Sequence, residues 1–388
     1  MFGFELHIVD WILLGTLGVL FLAQLYWYCR YLAAPARRIR KDRKQLPMTN
    51  DKSPISEGVT VILCAHNEAY NLSQYLQALL TQDYPTYEVI VVDDGSEDET
   101  RAMIERYLVH EPRLHMTFVP YGARIGSTKK LALTLAAKAA KYEYLLLTDA
   151  DCVPESNQWI RQMMNGFKQR EQTDIVLGFS PYFEQKGHVN RLVRFDTLFN
   201  GLHYIGSALC GHPYMGVGRN LAYRKSLFFE SGGFTRLMNN RAGDDDLFVN
   251  HVANKRNTAV VLTRESFIWT PAKQTMTEWI QQKRRHISVS PDYTPLSKFR
   301  LTLEPLTRGL FYAAVIFIVV SYQLSVLSLI ALGLFLLRWI IQTAIINVSA
   351  KRMGLRRFNM FSILWFDIVL PLVNLWMLIV PQYEPKKW

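Results

Sequence analysis

The chain is poor in cysteine and in charge. Its four cysteines, Cys29, Cys64, Cys152 and Cys210, are scattered over 388 residues without a CxxC pair, which argues against a disulfide framework and a structural zinc site. Charged residues make up 20% against 49% hydrophobic, which excludes a disordered chain and is high for a wholly soluble one. Acidic residues are the scarcer sign: 44 Lys and Arg face 33 Asp and Glu, a net charge of +11. That excess raises nucleic acid as a partner, but no nucleic-acid module is visible. The basic residues instead cluster beside apolar runs, where they orient membrane spans and meet anionic headgroups. Length allows two or three units at roughly 100 to 200 residues each, or one catalytic domain plus membrane segments.

What the chain has in excess is apolar sequence gathered at its two ends. Ile8 to Cys29 is apolar apart from Asp10 and Gln24, long enough for a hydrocarbon core of about 30 Å. It lacks the basic start and small-residue cleavage site of a signal peptide, so residues 1–30 are expected to be a transmembrane helix. Arg30, Arg37, Arg38, Arg40, Lys41, Arg43 and Lys44 follow, and the positive-inside rule puts the basic linker 31–54 and the domain after it in the cytoplasm. Gly309 to Val348 reads as two spans turning at Ser321, Tyr322 and Gln323, and Phe361 to Pro381 as another, after the basic loop Lys351, Arg352, Arg356 and Arg357. Asp367 and Pro371 leave a broken or re-entrant last helix open, and Asp367 reads equally as a functional group or a packing one. The expected plan is an interfacial segment 287–308, transmembrane helices over 309–381 and a tail 382–388, in a multi-pass protein of the cell (plasma or inner) membrane.

Between these ends, over 55–286, the pattern changes to short apolar runs alternating with amphipathic stretches. Val59–Leu63, the run from Tyr87, the run from Leu114 and the run from Glu143 read as strands; Tyr70–Gln82, Glu97–His110 and Thr128–Lys141 read as helices. Such alternation predicts an α/β fold with a mainly parallel sheet and helices on both faces. Polar residues fall at the carboxyl ends of the strands: His66, Asn67 and Glu68, then Asp93 and Asp94, then Asp149 and Asp151. Ligands of open α/β sheets bind at those ends, so one reading brings five carboxylates towards one crevice. Facing carboxylates repel unless a cation sits among them, which makes Asp149 and Asp151 candidates for Mg²⁺ or Mn²⁺. Asp-Gly-Ser after a strand also serves as a plain turn and cap. The stretch from Gly122 has glycines like a phosphate loop, without the GK[ST] ending at the required spacing.

With these residues in view, the chain resembles a membrane-embedded family 2 glycosyltransferase with a Rossmann-like GT-A catalytic domain. The motifs are CAHNE from Cys64, VVDDGS from Val91, the lysine of STKKLAL, TDADCVP from Thr148, GVGRN from Gly216, GDDDL from Gly243 and QKRRH from Gln282. The resemblance implies that Glu68, Asp93 and Asp94 contact the uridine of a UDP-sugar and that Lys129 approaches the nucleotide. It also implies that Asp151 holds a metal on the diphosphate, with Asp149 as its partner against the ribose or sugar. The stretch GDDDL corresponds to the family's ED-x-DL, placing Asp244 as catalytic base and Asp246 as the second acid. The assignment within Asp244, Asp245 and Asp246 is open by one residue, and the run also suits a helix cap.

The stretch QKRRH resembles the family's QxxRW segment, with His286 in place of the tryptophan. Gln282 and Arg285 then take the motif's Gln and Arg positions, on the diphosphate and acceptor; a second register uses Gln281, Gln282 and Arg284. Arg219, Asn220 and His286 are expected on the acceptor side. His203, Tyr204, His212 and Tyr214 could line that pocket or simply pack, and Trp269 and Trp279 suit interface anchors.

The implied reaction is an inverting, metal-dependent hexosyl transfer from a UDP-sugar to a lipid or lipid-linked glycan at the cytoplasmic membrane face. In polymer-making relatives the missing tryptophan stacks under the acceptor, so a processive polysaccharide synthase is the alternative. A polyprenyl-phosphate sugar synthase and a non-enzymatic sugar-nucleotide scaffold are further alternatives; the sugar, the acceptor and subunit pairing into an oligomer stay open.

Overall fold

The computed structural model describes residues 7–45, 57–120, 127–238, 242–323 and 325–380. The end of the linker, residues 121–126 of the glycine-containing stretch, and the tail lie outside the described residues. The chain divides into two units, Arg38–Tyr293 and a helical unit formed by Met1–Arg37 with Thr294–Trp388.

In chain order the elements are α1 (Ile8–Trp27), α2 (Ala34–Gln45), β1 (Val59–Ala65), α3 (Ala69–Leu80), β2 (Tyr87–Asp93), α4 (Thr100–Leu108), β3 (Leu114–Phe118), α5 (Thr128–Ala139), β4 (Tyr144–Asp149), β5 (Val153–Pro154) and α6 (Trp159–Phe167). There follow β6 (Ile175–Leu177), α7 (His188–Leu209), β7 (Leu221–Arg224), α8 (Lys225–Glu230), α9 (Asp246–Val252), β8 (Thr258–Val260), β9 (Ile268–Trp269), α10 (Met276–Ile287), α11 (Pro295–Tyr322), α12 (Val326–Arg352) and α13 (Met360–Ile379).

Seven strands form one sheet in the order β3-β2-β1-β4-β7-β6-β8. The pairs β1–β2, β1–β4, β2–β3 and β6–β8 are parallel, and only β7 runs against its neighbours. Strands β1, β2 and β4 are almost continuously buried, as expected of parallel strands covered on both faces. Helices α3 and α6 supply Leu72, Leu76, Leu79, Ile160 and Met163 to the same core as Val61, Val91 and Leu146. The chain winds from β1 to β3 in one direction and then returns to place β4 on the other side of β1. Such a reversal opens a crevice at the carboxyl ends of the two central strands.

Four helical stretches, Ile8–Lys44, Pro295–Tyr322, Val326–Arg352 and Met360–Ile379, are long and apolar enough to cross a membrane. The basic residues after α1 continue the helix through a π-turn at Tyr28–Leu32 into α2. Residues 295–308, expected as interfacial, form the first half of α11, which runs on past Pro305. Within this unit Phe21 of α1 packs with Phe311, Val315 and Ile318 of α11 and with Ala331 of α12.

Asp367 of α13 is fully buried in the helical unit. Its carboxylate accepts from Arg308 at 2.8 Å, Tyr312 at 2.6 Å, Arg338 at 3.0 Å and Gln342 at 2.7 Å. Arg338 also donates to Gln24 and Tyr28 of the first helical stretch, at 3.1 and 2.5 Å, and Arg308 pairs with Glu304 at 3.1 Å. Of the two roles open to Asp367 this is the packing one: a buried charge surrounded by donors from α11 and α12.

Candidate active site

The strand register brings the acidic groups together. Ala65 at the end of β1 pairs with Asp93 of β2, and Cys64 pairs with Asp149 of β4, so one strand end stands between both acidic turns. Asn67, which holds a positive φ of 57°, binds these turns. Its Oδ1 accepts from the backbone of Glu97 at 2.8 Å, and its own N–H donates to Ser96. His66 meets the Asp94 carbonyl at 2.7 Å. Asp93 accepts from the Ser96 N–H, closing its own turn, whereas Asp94 is buried with no hydrogen-bond partner for its Oδ2 among the described residues. Burial pushes Asp94 up. Glu68 is raised too, first by burial, against a hydrogen bond from Asn71.

At the centre stands Lys129, from the first turn of α5. Its Nζ is 3.2 Å from Asp149 Oδ1 and 3.2 Å from Asp244 Oδ2. A lysine of the chain thus stands among the carboxylates, which would otherwise repel one another. Burial acts to raise the Asp244 carboxyl, but Lys129, its own backbone N–H and Arg285 together hold it below the ordinary carboxylate range.

The three aspartates of the acidic run are thereby separated by environment. Asp245 caps α9 and accepts the Gly218 N–H at 2.6 Å; burial and Asp244 raise it. Asp246 is buried, accepts from Tyr293 OH at 3.1 Å, and is pushed up to about 8 by burial and by Asp245. Gly243 before the run has φ +86°, and a Cβ there would lie 2.5 Å from Leu247, which explains why glycine replaces the acidic lead of related motifs. Lys130, fully buried beside Lys129, donates to the carbonyls of Leu237 at 2.8 Å and Ala242 at 2.6 Å. It anchors the segment leading into the run. Sequence reasoning missed it; the doubled lysine at a helix start is the one signal that pointed there.

Ligand atoms of Asp149, Asp151 and Cys152 all lie within 4.8 Å of one another. Two partly exposed carboxylates on one turn fit a hard divalent ion. The Cys152 thiol is buried and donates to Asp151 at 3.3 Å, steadying that carboxylate. The guanidinium of Arg219 lies 4.8 Å over the Tyr182 ring, and Asp149 and Asp151 are among the groups that hold it charged, against its burial.

Helix α10 carries the QKRRH stretch and begins with a capping box at Thr275 and Glu278. Gln282, Arg285 and His286 share one face by their three- and four-residue spacing. Gln282 exchanges a hydrogen bond with Tyr182 at 3.2 Å, and Arg285 acts on Asp244. On the other face Lys283 is buried against Asp196 of α7, at 2.6 and 2.7 Å, and clamps α10 down. His286 is open to solvent.

Several expected positions lie elsewhere. Asn220 is fully buried. Its amide donates to the carbonyls of Phe179 and Ser266, at 2.9 and 2.8 Å, and accepts from Trp159 at 3.0 Å, so it holds the core instead of meeting an acceptor. Tyr204 spends its hydroxyl on the Gly178 carbonyl. Trp279 is buried beneath Lys283, and Trp269 bonds Glu155 and stacks on Phe183; neither is a free membrane anchor.

Comparison with known proteins agrees with this architecture. Residues 60–232 match the model of the glycosyl transferase family 2. A poly-beta-1,6-N-acetyl-D-glucosamine synthase of Staphylococcus epidermidis is 29% identical over 133 residues, 34% of this chain and 31% of that one. A chondroitin synthase of Escherichia coli is 24% identical over 238 residues, 53% of this chain and 34% of the synthase. The chain thus spans about a third of the length of these relatives. Among solved structures, the mannosyltransferase PcManGT from Pyrobaculum calidifontis, in complex with GDP-Man and Mn²⁺, aligns with a TM-score of 0.52 at 19% identity, over 87% of this chain and 99% of that one. The chain has the GT-A fold, residues 60–232 resemble the glycosyl transferase family 2, and part of its length is similar in sequence to polysaccharide synthases.

Proposed function

We propose that this chain transfers a sugar, with inversion, from a UDP-sugar to a lipid or lipid-linked saccharide at the cytoplasmic face of the cell membrane. The observation that carries the reading is Asp244, the one carboxylate of its run held below the ordinary carboxylate range, set beside Lys129 and Asp149 at the strand ends. An ionised carboxylate can take the proton of an acceptor hydroxyl as that oxygen attacks the anomeric carbon. The anomeric carbon–oxygen bond to UDP breaks as the new glycosidic bond forms on the opposite face, and UDP leaves with the bonding electrons.

Lys129 holds Asp244 in its basic form, and Arg285 supplies positive charge on the leaving-group side. The unpartnered Asp94 Oδ2 suits a base N–H of the nucleotide, with Glu68 and Asp93 on the same rim. Asp151 and Asp149 are the residues that would hold Mg²⁺ or Mn²⁺, which would supply positive charge against the charge growing on the departing diphosphate. Gln282, Arg219 and His286 face the acceptor.

A second reading, processive polymer synthesis, is favoured by the names of the relatives, whereas His286 in the tryptophan position favours single addition. The two separate on one experiment: purified protein in lipid, a panel of UDP-sugars with Mg²⁺ or Mn²⁺, UDP release and product mass. A lipid heavier by one sugar supports the lead reading, and a ladder supports the polymerase. No turnover of any sugar nucleotide, with native membrane lipids supplied, overturns both.

A further inference from the structure

A groove of about 430 Å³ lies on the helical unit, on α12 and the start of α13. Its wall is apolar along Ile340, Ala344, Val348 and Met360, and Lys351 and Arg357 line it where α12 ends. Among the described residues, no acidic side chain lines it. Both cations are exposed. The glycosyl-transfer account uses none of these groups.

The cationic end is built rather than incidental. Helix α12 closes in a Schellman motif: Gly354 takes φ +71°, its N–H donates to Lys351 O at 3.2 Å, and Leu355 N–H donates to Ala350 O at 2.8 Å. The Asn347 side chain then grips the backbone next to Arg357 from both sides. Its Oδ1 accepts the Phe358 N–H at 2.8 Å and its Nδ2 donates to the Phe358 carbonyl at 2.9 Å. Trp339 donates to the Met360 carbonyl at 3.0 Å.

We propose that this groove binds an anionic glycerophospholipid, with the phosphate between Lys351 and Arg357 and an acyl chain along the apolar wall. Charge selects the lipid class. Two cations with no acid in the lining attract a net-negative headgroup, whereas a zwitterionic headgroup brings its own ammonium against them. Basic groups between apolar helices near a membrane surface are suited to anionic headgroups, and the apolar wall gives a lipid an advantage over free phosphate.

The test is native mass spectrometry of the full chain released from nanodiscs of equimolar phosphatidylglycerol and phosphatidylcholine. The native chain should retain phosphatidylglycerol with a preference of roughly thirtyfold, the order expected from about 1 kcal/mol for each of two basic side chains at an anionic headgroup. Lys351→Gln with Arg357→Gln should abolish the preference. Ala344→Trp, which fills the groove and leaves both charges, should abolish retention, and Arg356→Gln, beside the groove, should change neither. Thermal melting confirms that each variant is folded.

Equal retention of the two lipids by the native chain overturns the site. So does an unchanged preference in the folded double variant, or an Arg356→Gln effect as large as the double one. Displacement of the lipid by excess inorganic phosphate would reassign the groove to free phosphate. None of these readouts depends on glycosyl transfer.

Discussion

Lys129 and Asp244 stand 3.2 Å apart, with Asp149 at the same distance on the lysine's other side. One ammonium therefore touches both the expected base and the expected metal-binding turn, and it holds the first of three adjacent aspartates below the ordinary carboxylate range. The first prediction follows from its sign. In the proposed mechanism transfer requires ionised Asp244, so the rate should fall as pH drops through its pKa, which Lys129 and Arg285 hold low against burial. Removing the cation in Lys129→Met lets burial dominate, so the acidic limb of the pH–rate profile moves to higher pH. A limb that stays in place would separate Asp244 from the titrating base.

Asp246 predicts a pH dependence of stability instead. Its folded pKa is raised from 3.8 to about 8 by burial and Asp245. The folded state therefore holds a proton that the unfolded state has released, and the stabilisation present below pH 3.8 is lost as pH rises through about 8. Asp246→Asn does not titrate, so its melting temperature should gain on the native chain from about pH 4 upwards and level off above pH 8. A constant offset across that range would contradict the raised pKa.

Asn220 is predicted to matter for stability and not for acceptor binding. Asn220→Ala strands three buried partners, at about 1–3 kcal/mol for each unsatisfied group. Denaturation should show a loss of several kcal/mol while the acceptor KM of the folded fraction stays unchanged; a raised KM at native stability would restore Asn220 to the acceptor side.

In the helical unit, Asp367→Leu leaves Arg308 and Arg338 buried without their shared carboxylate. Breaking a buried pair from one side costs about 3–5 kcal/mol, so the yield of folded protein in detergent should collapse. Full yield with lost transfer would instead make Asp367 a functional group.

The strand ends and their acids were legible because parallel strands write their burial as unbroken apolar runs, and the polar residue after each run marks the crevice. Spans α11 and α12 were legible for the same reason, composition over length. What was not legible lay in side-chain partners distant in sequence. Asn220 sits beside Arg219 in an acceptor-like motif, yet its amide turns to Phe179, Ser266 and Trp159. Lys130 follows Lys129 and points away to Leu237 and Ala242. Helical rotation divides adjacent residues between site and scaffold, and only the packed fold reveals which is which.

The most direct measurement pairs calorimetric UDP binding with transfer by Asp244→Asn. The account predicts native UDP affinity with transfer reduced by about 10²–10⁴-fold, the range for loss of a positioned general base. Transfer within a few-fold of the native rate would contradict Asp244 as base, and so would a loss of UDP binding that accounts for the whole defect.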